Sequence, residues 1–381
     1  MIENHQIALL ELIKCSLFKV PPQLPDNLDW DLVLAEAKAQ TVVSLAEPAV
    51  EKPHKSGWAE PAAECTAHFI RALFEQSNLI KLFSDNNIPL VIIKGCAAAM
   101  YYPSPARRTM GDIDFLVKEK DFDAARKLLE QSGYEFIGDY EDGRDFTYQK
   151  GGIIFELHRR YSDHRVDLED ILVSGFNNLE THELNGHKFP TFSADINGLI
   201  LFDHIRHHIY GGLGIRQIID WMMFLNSAVE NGDCIDKLLN HIKCVNLEKF
   251  CKILTKMCVL YFGLPDKFPW CRDADDEAAK ELLDAVFKSG NFGRKDPYEY
   301  RPMDSFTQNV RQKGLFKVLQ VAGLQNWSAC QKHKFLRPFA WLYQIFRFIK
   351  RGVLALCHGE NLKKDINSGN EKFDFYENLG I

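Results

Sequence analysis

Two aspartates lie one residue apart in RRTMGDIDFLV, residues 107–117. The apolar residues around them predict a buried strand. Because side chains alternate between the two faces of a strand, Asp112 and Asp114 point the same way, while Ile113 and Phe115 point into the core. Two neighbouring carboxylates repel each other unless cations lie between them. Mg²⁺ prefers carboxylate oxygens, and a two-ion site can hold the attacking and leaving oxygens of a phosphoryl transfer.

A third carboxylate, Glu156, lies in the apolar segment IIFELH. Ile154 and Glu156 share one face of the predicted strand, and Phe155 faces the other way. A charge in an apolar strand is costly unless it meets a partner or a metal. If this strand lies beside the first, the three acids converge, and they form the predicted ligand set for Mg²⁺, with Mn²⁺ as the alternative ion.

A phosphate-binding turn is predicted at Lys94-Gly95-Cys96, which follows the short apolar strand at residues 90–93. Glycine lets a backbone approach a phosphate closely, and a helix that begins here presents free N–H groups. Lys94 adds positive charge. Arg108, four residues before Asp112, is predicted to contact a triphosphate or to brace the carboxylates.

The elements that position these residues follow from periodicity. The first 85 residues are predicted to be helical, with a cap at Asn27 or Asp29 and an amphipathic helix that begins near Pro61. A small α/β unit follows over about residues 86–160, in the order helix, strand, helix, strand, helix, strand, strand. Its last two strands form a hairpin that turns at Gly151-Gly152.

A second hairpin, with an Asn185-Gly186 turn, is predicted to join this unit to a helical region. The chain is predicted to stay helical from Asp195 to about residue 355. The remaining residues form a polar tail that is expected to be poorly ordered.

The segments KGCAAAMYYPSPARRTMGDIDFLV and FELHRRY resemble the uncharacterised bacterial nucleotidyltransferase family of the DNA polymerase beta-like superfamily. They also resemble, more distantly, the abortive-infection nucleotidyltransferase toxins. The Lys-Gly after a strand, the arginine four residues before the first aspartate of GDIDxLV and the later ELH carry the resemblance, which extends over most of the chain. It implies an α+β fold in which a polymerase beta-like core, a small mixed sheet with helices, lies between helical regions. The predicted boundaries are a helical N-terminal region at 1–85, the core at 86–190, a helical domain at 191–355 and the tail at 356–381.

The resemblance also implies roles for the site residues. Asp112 and Asp114 would bind both metal ions, and Glu156 would hold the ion that activates the acceptor hydroxyl. Gly95 and its neighbour would hold the triphosphate. Many members of the superfamily have Gly-Ser at this turn, whereas this chain has Gly95-Cys96. A thiol is a poorer donor than a hydroxyl, so backbone N–H groups would carry the contact.

The helical region contains a second group of polar residues among apolar ones, in residues 195–225. His204 and His208 are four residues apart and share a helix face. They lack a third ligand and a HExxH glutamate, so a structural or substrate-facing role is favoured over metal binding. Asp220 needs a partner, for which Arg216, His204 or His208 are the candidates. The resemblance implies that this helix pair closes over the cleft, so Arg216 either binds nucleotide or acceptor or pins two helices.

Residues 332–352 mix aromatic and basic side chains. One predicted helix face carries Phe335, Phe339, Leu342, Phe346 and Ile349, and the basic residues are Lys332, Lys334, Arg337, Arg347, Lys350 and Arg351. The favoured interpretation of this stripe is a helix packed on its domain. The alternative is a surface that contacts a membrane or RNA.

Composition bounds the remaining possibilities. The formal net charge of −6 argues against wholesale wrapping of nucleic acid. The ten cysteines include no CxxC pair, which favours free thiols in a reducing cytoplasm over a zinc site. No apolar run is long enough to span a membrane and no secretory signal opens the chain, so a cytoplasmic location is expected.

The leading hypothesis is a metal-dependent nucleotidyltransferase that moves NMP from an NTP donor to a hydroxyl or phosphate acceptor and releases pyrophosphate. The acceptor is a sugar, a small metabolite, a protein side chain or an RNA end. One alternative is a non-catalytic protein that binds a nucleotide or a partner on the same fold. Another is a toxin-like enzyme that acts on tRNA, with a basic rim formed by Lys94, Arg107, Arg108, Arg159 and Arg160.

Overall fold

A computed structural model describes residues 2–139, 145–161, 166–209, 211–228, 230–295, 310, 314–327, 329–330, 333–357, 371 and 373–381. The chain divides into two compact units, residues 1–295 and 296–381. Among the described residues, no helix is both long enough and apolar enough to cross a membrane.

The first unit begins with four helices: α1 (Asn4–Phe18), α2 (Trp30–Ala39), α3 (Val43–Ala46) and α4 (Ser56–Asp85). Asp29 caps α2, as predicted, because its side chain accepts hydrogen bonds from the backbone nitrogens of Asp31 and Leu32. The start of α4 was predicted five residues too late. Pro61 is the sixth residue of α4 and lies beyond the four N–H groups that have no partner at a helix start, so it removes one backbone hydrogen bond of the helix.

The α/β unit follows with β1 (Leu90–Ile93), α5 (Gly95–Ala99), β2 (Ile113–Val117), α6 (Phe122–Gln131), β3 (Glu135–Asp139), β4 (Asp145–Lys150) and β5 (Ile153–His158). The sheet order is β1-β2-β5-β4-β3. The pair β2 and β5 is parallel, and the other neighbours are antiparallel. The sequence predicted every one of these elements except β3, so the small mixed sheet and the α+β class are confirmed.

One apolar core holds the sheet against α4 and α6. It buries Phe69 and Phe83 of α4, Phe115 of β2, Phe122 of α6 and Phe155 of β5. The inward direction of Phe115 and Phe155 leaves the opposite face of β2 and β5 to the residues that alternate with them, Asp114 and Glu156. The packing of the core therefore fixes the face on which the acids lie.

After α7 (Val166–Gly175), the hairpin of β6 (Glu180–Leu184) and β7 (His187–Thr191) turns at Asn185-Gly186, as predicted. Five further helices complete the unit: α8 (Ala194–His208), α9 (Ile215–Ala228), α10 (Gly232–Cys244), α11 (Glu248–Tyr261) and α12 (Asp276–Ser289). The buried Asn197 of α8 donates to the backbone oxygen of Ala97 and to the hydroxyl of Tyr101, which joins α8 to the region after β1.

The second unit contains α13 (Leu315–Asn326), a 3₁₀ segment (Lys334–Phe339) and α14 (Ala340–Cys357). The helices α13 and α14 pack on each other, and the rings of Trp327 and Tyr343 stack at 5.1 Å.

Two predictions for this unit need correction. The segment packs on its domain as predicted, since α14 packs on α13, but the apolar residues of the 332–352 stripe are exposed, from 38% for Leu342 to 72% for Phe335, so the predicted face is not the one that packs. Lys332 and the side chains of Lys334 and Arg351 lie outside what the structure describes. The predicted tail lies partly outside as well, and its residues 373–379 are helical rather than poorly ordered.

Candidate active site

The parallel pairing of β2 and β5 brings the predicted acids together. Asp114 lies opposite Glu156 in the register of the two strands. Asp112, Asp114 and Glu156 all line one cavity of about 190 Å³ at this end of the sheet. The prediction that the two strands lie side by side, and that their acids share a face, is confirmed. Their roles stay predictions.

His158 connects this cluster to a fourth carboxylate and was not assigned a role from the sequence. Its Nε2 lies 2.9 Å from Asp114 Oδ1, and its Nδ1 contacts Asp145 Oδ1. Burial alone lowers the pKa of His158, but the hydrogen bonds to Asp114 and Asp145 raise it to about 9. The ring therefore carries a proton on both nitrogens at neutral pH and fixes the orientation of Asp114.

A group of potential metal ligands is formed by Asp114, Glu156 and His158, which place one ligand atom each within 4.8 Å of the others. The charged ring of His158 already donates to two carboxylates, so it orients a ligand rather than binding an ion itself. Burial, and then Asp114 and Asp112, raise the pKa of Glu156 to about 7. Such crowding of carboxylates is what a divalent cation relieves, so the oxygen donors fit Mg²⁺ or Mn²⁺.

Asp112 lies at the edge of this group. Repulsion from Asp114, followed by burial, raises its pKa. Asp114 behaves in the opposite way: burial raises its pKa, but Lys94 and His158 outweigh burial and hold the pKa well below its usual range. The carboxylate of Asp114 is therefore the permanently charged centre of the site.

Lys94 supplies the nearest cation. Its Nζ lies 2.7 Å from Asp114 Oδ1, and its side chain is 14% exposed. Burial lowers the pKa of Lys94, but Asp114 outweighs burial and raises it overall, so the ammonium stays charged. The backbone at Lys94 has φ 53° and ψ −135°, a conformation that an L-residue rarely adopts. The turn between β1 and α5 is strained where the sequence predicted a phosphate contact.

The two residues after Lys94 differ in their relation to the cavity. Gly95 lines it, with φ +28°. Cys96 does not, because its side chain is fully buried in the apolar core, where burial raises the pKa of the thiol to about 12. The prediction of Cys96 as a nucleotide-binding residue is therefore corrected for its thiol, and only its backbone is left for that role. The helix α5 has five residues, so its dipole is short.

Arg108 and Asp220 form a buried ion pair between the loop before β2 and α9. Arg108 Nε and Nη2 donate to the two oxygens of Asp220, at 2.7 Å each, and the hydroxyl of Tyr102 donates to Asp220 Oδ1. The expected partners of Asp220, namely Arg216, His204 or His208, were wrong. The carboxylate that Arg108 braces belongs to α9, because the helix crosses the loop that carries the arginine.

Arg216 lies one helical turn before Asp220 and also lines the cavity. Its Nη1 donates to the backbone oxygen of Thr109 at 3.1 Å. Its Nε is buried and meets no hydrogen-bond partner among the described residues. Burial, and then Arg108, lower the pKa of Arg216. A buried guanidinium with an unmatched donor at a cavity favours the binding of an anion.

A row of rings forms another wall. The rings of His204 and His208 are 4.4 Å apart, and His208 lies 4.9 Å from Phe292. Burial, above all, lowers the pKa of His208 to about 3 and that of His204 well below its ordinary value. The two imidazoles are therefore neutral. Phe292 was not identified from the sequence, because nothing in NFG marks it as a site residue.

The basic rim proposed for a tRNA substrate does not assemble from free cations. Lys94 pairs with Asp114, Arg107 with Glu47, Arg108 with Asp220 and Arg159 with Glu119. Of the five cations proposed for the rim, Lys94 and Arg108 line the cavity, where Arg108 is buried and Lys94 is half-buried. Arg160 is exposed and does not line the cavity.

The sequence matches the family described as "Uncharacterised nucleotidyltransferase" over residues 26–263, more than half of the chain. No curated protein matches it.

Solved structures with weak similarity include ANT(2″)-Ia in complex with adenylyl-2″-tobramycin, at 12% identity and a TM-score of 0.32, with 45% of this chain and 97% of that chain covered. A second is an antigenic nucleotidyltransferase-like protein from Paracoccidioides brasiliensis, at 17% identity and a TM-score of 0.31, with 45% of this chain and 87% of that chain covered.

Proposed function

We propose that this chain, which belongs to the family of uncharacterised nucleotidyltransferases, moves a nucleoside monophosphate from an NTP to a hydroxyl or phosphate acceptor and releases pyrophosphate. The observation that carries the proposal is that Asp112, just before β2, Asp114 of β2 and Glu156 of β5 line one cavity, together with Lys94 and Arg216. Acids and cations that line one cavity suit a metal-bound polyphosphate.

The carboxylates of Asp112, Asp114 and Glu156 would hold Mg²⁺ or Mn²⁺. A divalent ion supplies charge neutralisation for the transferred phosphoryl group and favours deprotonation of the attacking hydroxyl. His158 keeps Asp114 in one rotamer by bridging it to Asp145. Glu156, whose pKa is raised by burial and by Asp114 and Asp112 while no cation is bound, would hold the ion beside the acceptor hydroxyl.

The phosphate chain of the donor would lie against Lys94, Gly95 and Arg216. Gly95 lets the backbone approach closely, and the guanidinium of Arg216 adds positive charge at the cavity. Arg108 gives two of its nitrogens to Asp220. Its proposed role is therefore to hold α9, and with it Arg216, in place over the site.

The acceptor has a separate approach to the acids. A wide apolar groove of about 1140 Å³ runs along α4 past His68, Ile70 and Arg71 and shares Gly111 and Asp112 with the first cavity. An acceptor in this groove would reach Asp112 from outside, while the donor occupies the enclosed cavity. The identity of the acceptor stays open among a sugar, a metabolite, a protein side chain and an RNA end.

Thermal shift with ATP, GTP, CTP and UTP, each with and without Mg²⁺, tests the site. We expect the ion to strengthen stabilisation by at least one nucleotide, and the Asp112→Ala/Asp114→Ala variant to lose that effect. Asp123→Asn, on α6, is the matched control and should respond like the wild type. If no nucleotide shifts the melting temperature, or if the double variant responds like the wild type, the metal and donor assignments are wrong.

The Asp114→Asn variant tests the catalytic step separately from folding. Release of pyrophosphate from the preferred NTP should fall by at least about a hundredfold, the size of effect seen when a preorganised electrostatic group is lost. Circular dichroism should show an unchanged fold. Transfer at the wild-type rate would contradict the assignment of Asp114 as a metal ligand.

A further inference from the structure

Phe292 is an exposed aromatic residue at the cavity that the proposed chemistry does not use. Its side chain is 51% exposed and lines the same cavity as the acids and Lys94. Its ring meets that of His208 edge to face, with ring centres 4.9 Å apart. Half of an apolar ring is therefore left in contact with solvent at a site built for a polar ligand.

The backbone at Phe292 is strained and held in place. Phe292 has φ 56° and ψ 35°, in the left-handed region that non-glycine residues rarely adopt. Its nitrogen donates to the backbone oxygen of Gly212 at 3.0 Å. The loop approaches so closely that a Cβ on Gly212 would lie 2.1 Å from the nitrogen of Gly293. Strain that the surroundings maintain is typical of residues that are placed for function.

The preceding residue anchors this segment in the core. Asn291 is 1% exposed; its Oδ1 accepts from Gln217 Nε2 on α9, and its Nδ2 donates to Thr41 Oγ1. The ring of Phe292 is therefore presented by a fixed backbone, so that a ligand would meet it without first ordering a loop.

The size of the cavity decides which part of a nucleotide meets Phe292. At about 190 Å³, the cavity is smaller than the roughly 300–1000 Å³ of a pocket that encloses a small molecule. The polyphosphate needs the acids, Lys94 and Arg216, so it takes the enclosed space. The base must then lie at the opening, where the half-exposed ring of Phe292 is found.

Resting on the proposed function, we infer that Phe292 is the stacking platform for the base of the bound nucleotide, with the ring of His208 beside it. Every base has a flat π-face, so this contact binds purines and pyrimidines alike, with the larger purines favoured. The neutral imidazoles behind the platform carry no charge that a base would have to offset. The subsite therefore selects an aromatic base through its flat face.

Calorimetric binding of the four NTPs and of inorganic tripolyphosphate, all with Mg²⁺, tests the inference on the full chain. Tripolyphosphate reports the phosphate site alone. We use Phe292→Gly, since glycine favours the positive φ, and Phe292→Trp, which keeps a stacking ring. Phe74→Ala removes another exposed ring, 56% exposed on α4, and is the control.

We expect Phe292→Gly to weaken NTP binding by roughly 10- to 100-fold, which is the range measured for loss of one base-stacking ring. Tripolyphosphate binding should stay within about twofold of the wild type, and Phe292→Trp should restore NTP binding. The inference is overturned if Phe292→Gly binds NTP like the wild type, if it loses NTP and tripolyphosphate equally, or if tryptophan does not restore binding.

The failure of the proposed function looks different. If wild-type protein binds neither NTP nor tripolyphosphate, the function is wrong and the stacking role falls with it. If the wild type binds both and Phe292→Gly changes neither, the function stands and the platform alone is rejected. If Phe292 instead contacts the acceptor, the Phe292→Gly variant would bind NTP like the wild type but show an altered KM for the acceptor. That outcome also rejects Phe292 as the platform for the base.

Discussion

At the scale of single residues, the Arg108–Asp220 pair should be the most costly polar contact to break. Both side chains are at most 3% exposed. Asp220→Asn leaves a buried guanidinium without its counter-charge, so we expect a loss of about 3–5 kcal/mol in the free energy of unfolding, measured by urea denaturation.

The exposed pair Lys81–Asp85 is the matched control for this loss, with side chains 75% and 57% exposed. Asp85→Asn should cost less than about 1 kcal/mol. Replacing both buried partners, in Arg108→Met/Asp220→Leu, should recover much of the stability. A cost for Asp220→Asn as small as that for Asp85→Asn would show that the buried pair does not stabilise the fold.

The low pKa of His208 leads to a prediction of how the free energy of unfolding depends on pH. Burial lowers its folded-state pKa from the ordinary 6.5 to about 3, and His204 shifts the same way. Between these two pH values the unfolded state therefore binds more protons than the folded state. The contribution of His208 to the free energy of unfolding is fully present above pH 6.5 and is lost as the pH falls toward 3. Each pKa unit corresponds to about 1.4 kcal/mol.

We expect His208→Gln to lose less stability than the wild type over this range, as measured by urea denaturation at a series of pH values without divalent ions. His182, a more exposed histidine of β6, is the control, and His182→Gln should follow the wild-type curve. Parallel curves for His208→Gln and the wild type would mean that His208 is not held neutral by the fold.

Residues that a strand period places on one face could be predicted from the sequence, and residues that depend on distant packing could not. Asp112, Asp114 and Glu156 follow from alternation alone once β2 and β5 are paired. The partner of Asp220 lies 112 residues away, on a loop, so no local pattern indicates it. Phe292 was not identified as a site residue for the same reason, because its position at the cavity depends on the contact between its loop and Gly212.

At the scale of elements, the turn between β1 and α5 should tolerate no side chain at Gly95. A Cβ there would lie 3.2 Å from Met110 Cε, and φ is +28°. Gly95→Ala would both strain the turn and fill the space that a phosphate needs. We expect binding of Mg²⁺-tripolyphosphate to weaken by about tenfold or more in calorimetry, since a displaced phosphate loses its charge-assisted contacts.

Gly138→Ala in β3 is the matched control for the turn. A Cβ at Gly138 would meet nothing within 4 Å, and its φ is not positive. It should leave tripolyphosphate binding unchanged. Unchanged binding in Gly95→Ala as well would remove this turn from the phosphate site and leave Lys94 and Arg216 as its only candidates.

The sheet shows where prediction of elements stops. The strands β1, β2, β4 and β5 have apolar runs or alternating patterns and were predicted. The strand β3 lies at the edge, and four of its five residues are exposed, so its sequence EFIGD shows neither pattern. An edge strand is set by the hydrogen bonds of its neighbour rather than by burial, which a sequence pattern does not report.

At the scale of the whole molecule, the predicted boundaries at 85, 190 and 355 stay predictions, whereas the compact units meet at residues 295 and 296. The sequence SGNFGRKDP around this point contains two glycines and a proline, which mark a break that the prediction of a continuous helical region passed over. Long-range polar contacts also show where the first unit ends. Lys295 Nζ lies 2.7 Å from the buried Glu36 of α2, and Gln40 donates to the backbone oxygen of Val286. These contacts join the end of the first unit to its beginning.

Among the described residues, those that line the cavity, from Lys94 to Phe292, all belong to the first unit. We therefore expect a chain of residues 1–295 to fold cooperatively and to bind Mg²⁺-NTP with an affinity close to that of the full chain.

A shorter chain that ends at residue 275 is the matched comparison. It lacks α12 and Phe292, and it removes Lys295 from Glu36, the oxygen of Val286 from Gln40 and Asn291 from Thr41. It should therefore unfold at a lower temperature and bind NTP weakly. Calorimetric melting and NTP binding of the three chains test whether residues 1–295 fold alone and contain the whole nucleotide site. If residues 1–295 fold but no longer bind NTP, a part of the chain beyond residue 295 contributes to the site. If the chain ending at 275 melts and binds like the longer one, the contacts between α2 and the 286–295 segment do not hold the cavity together.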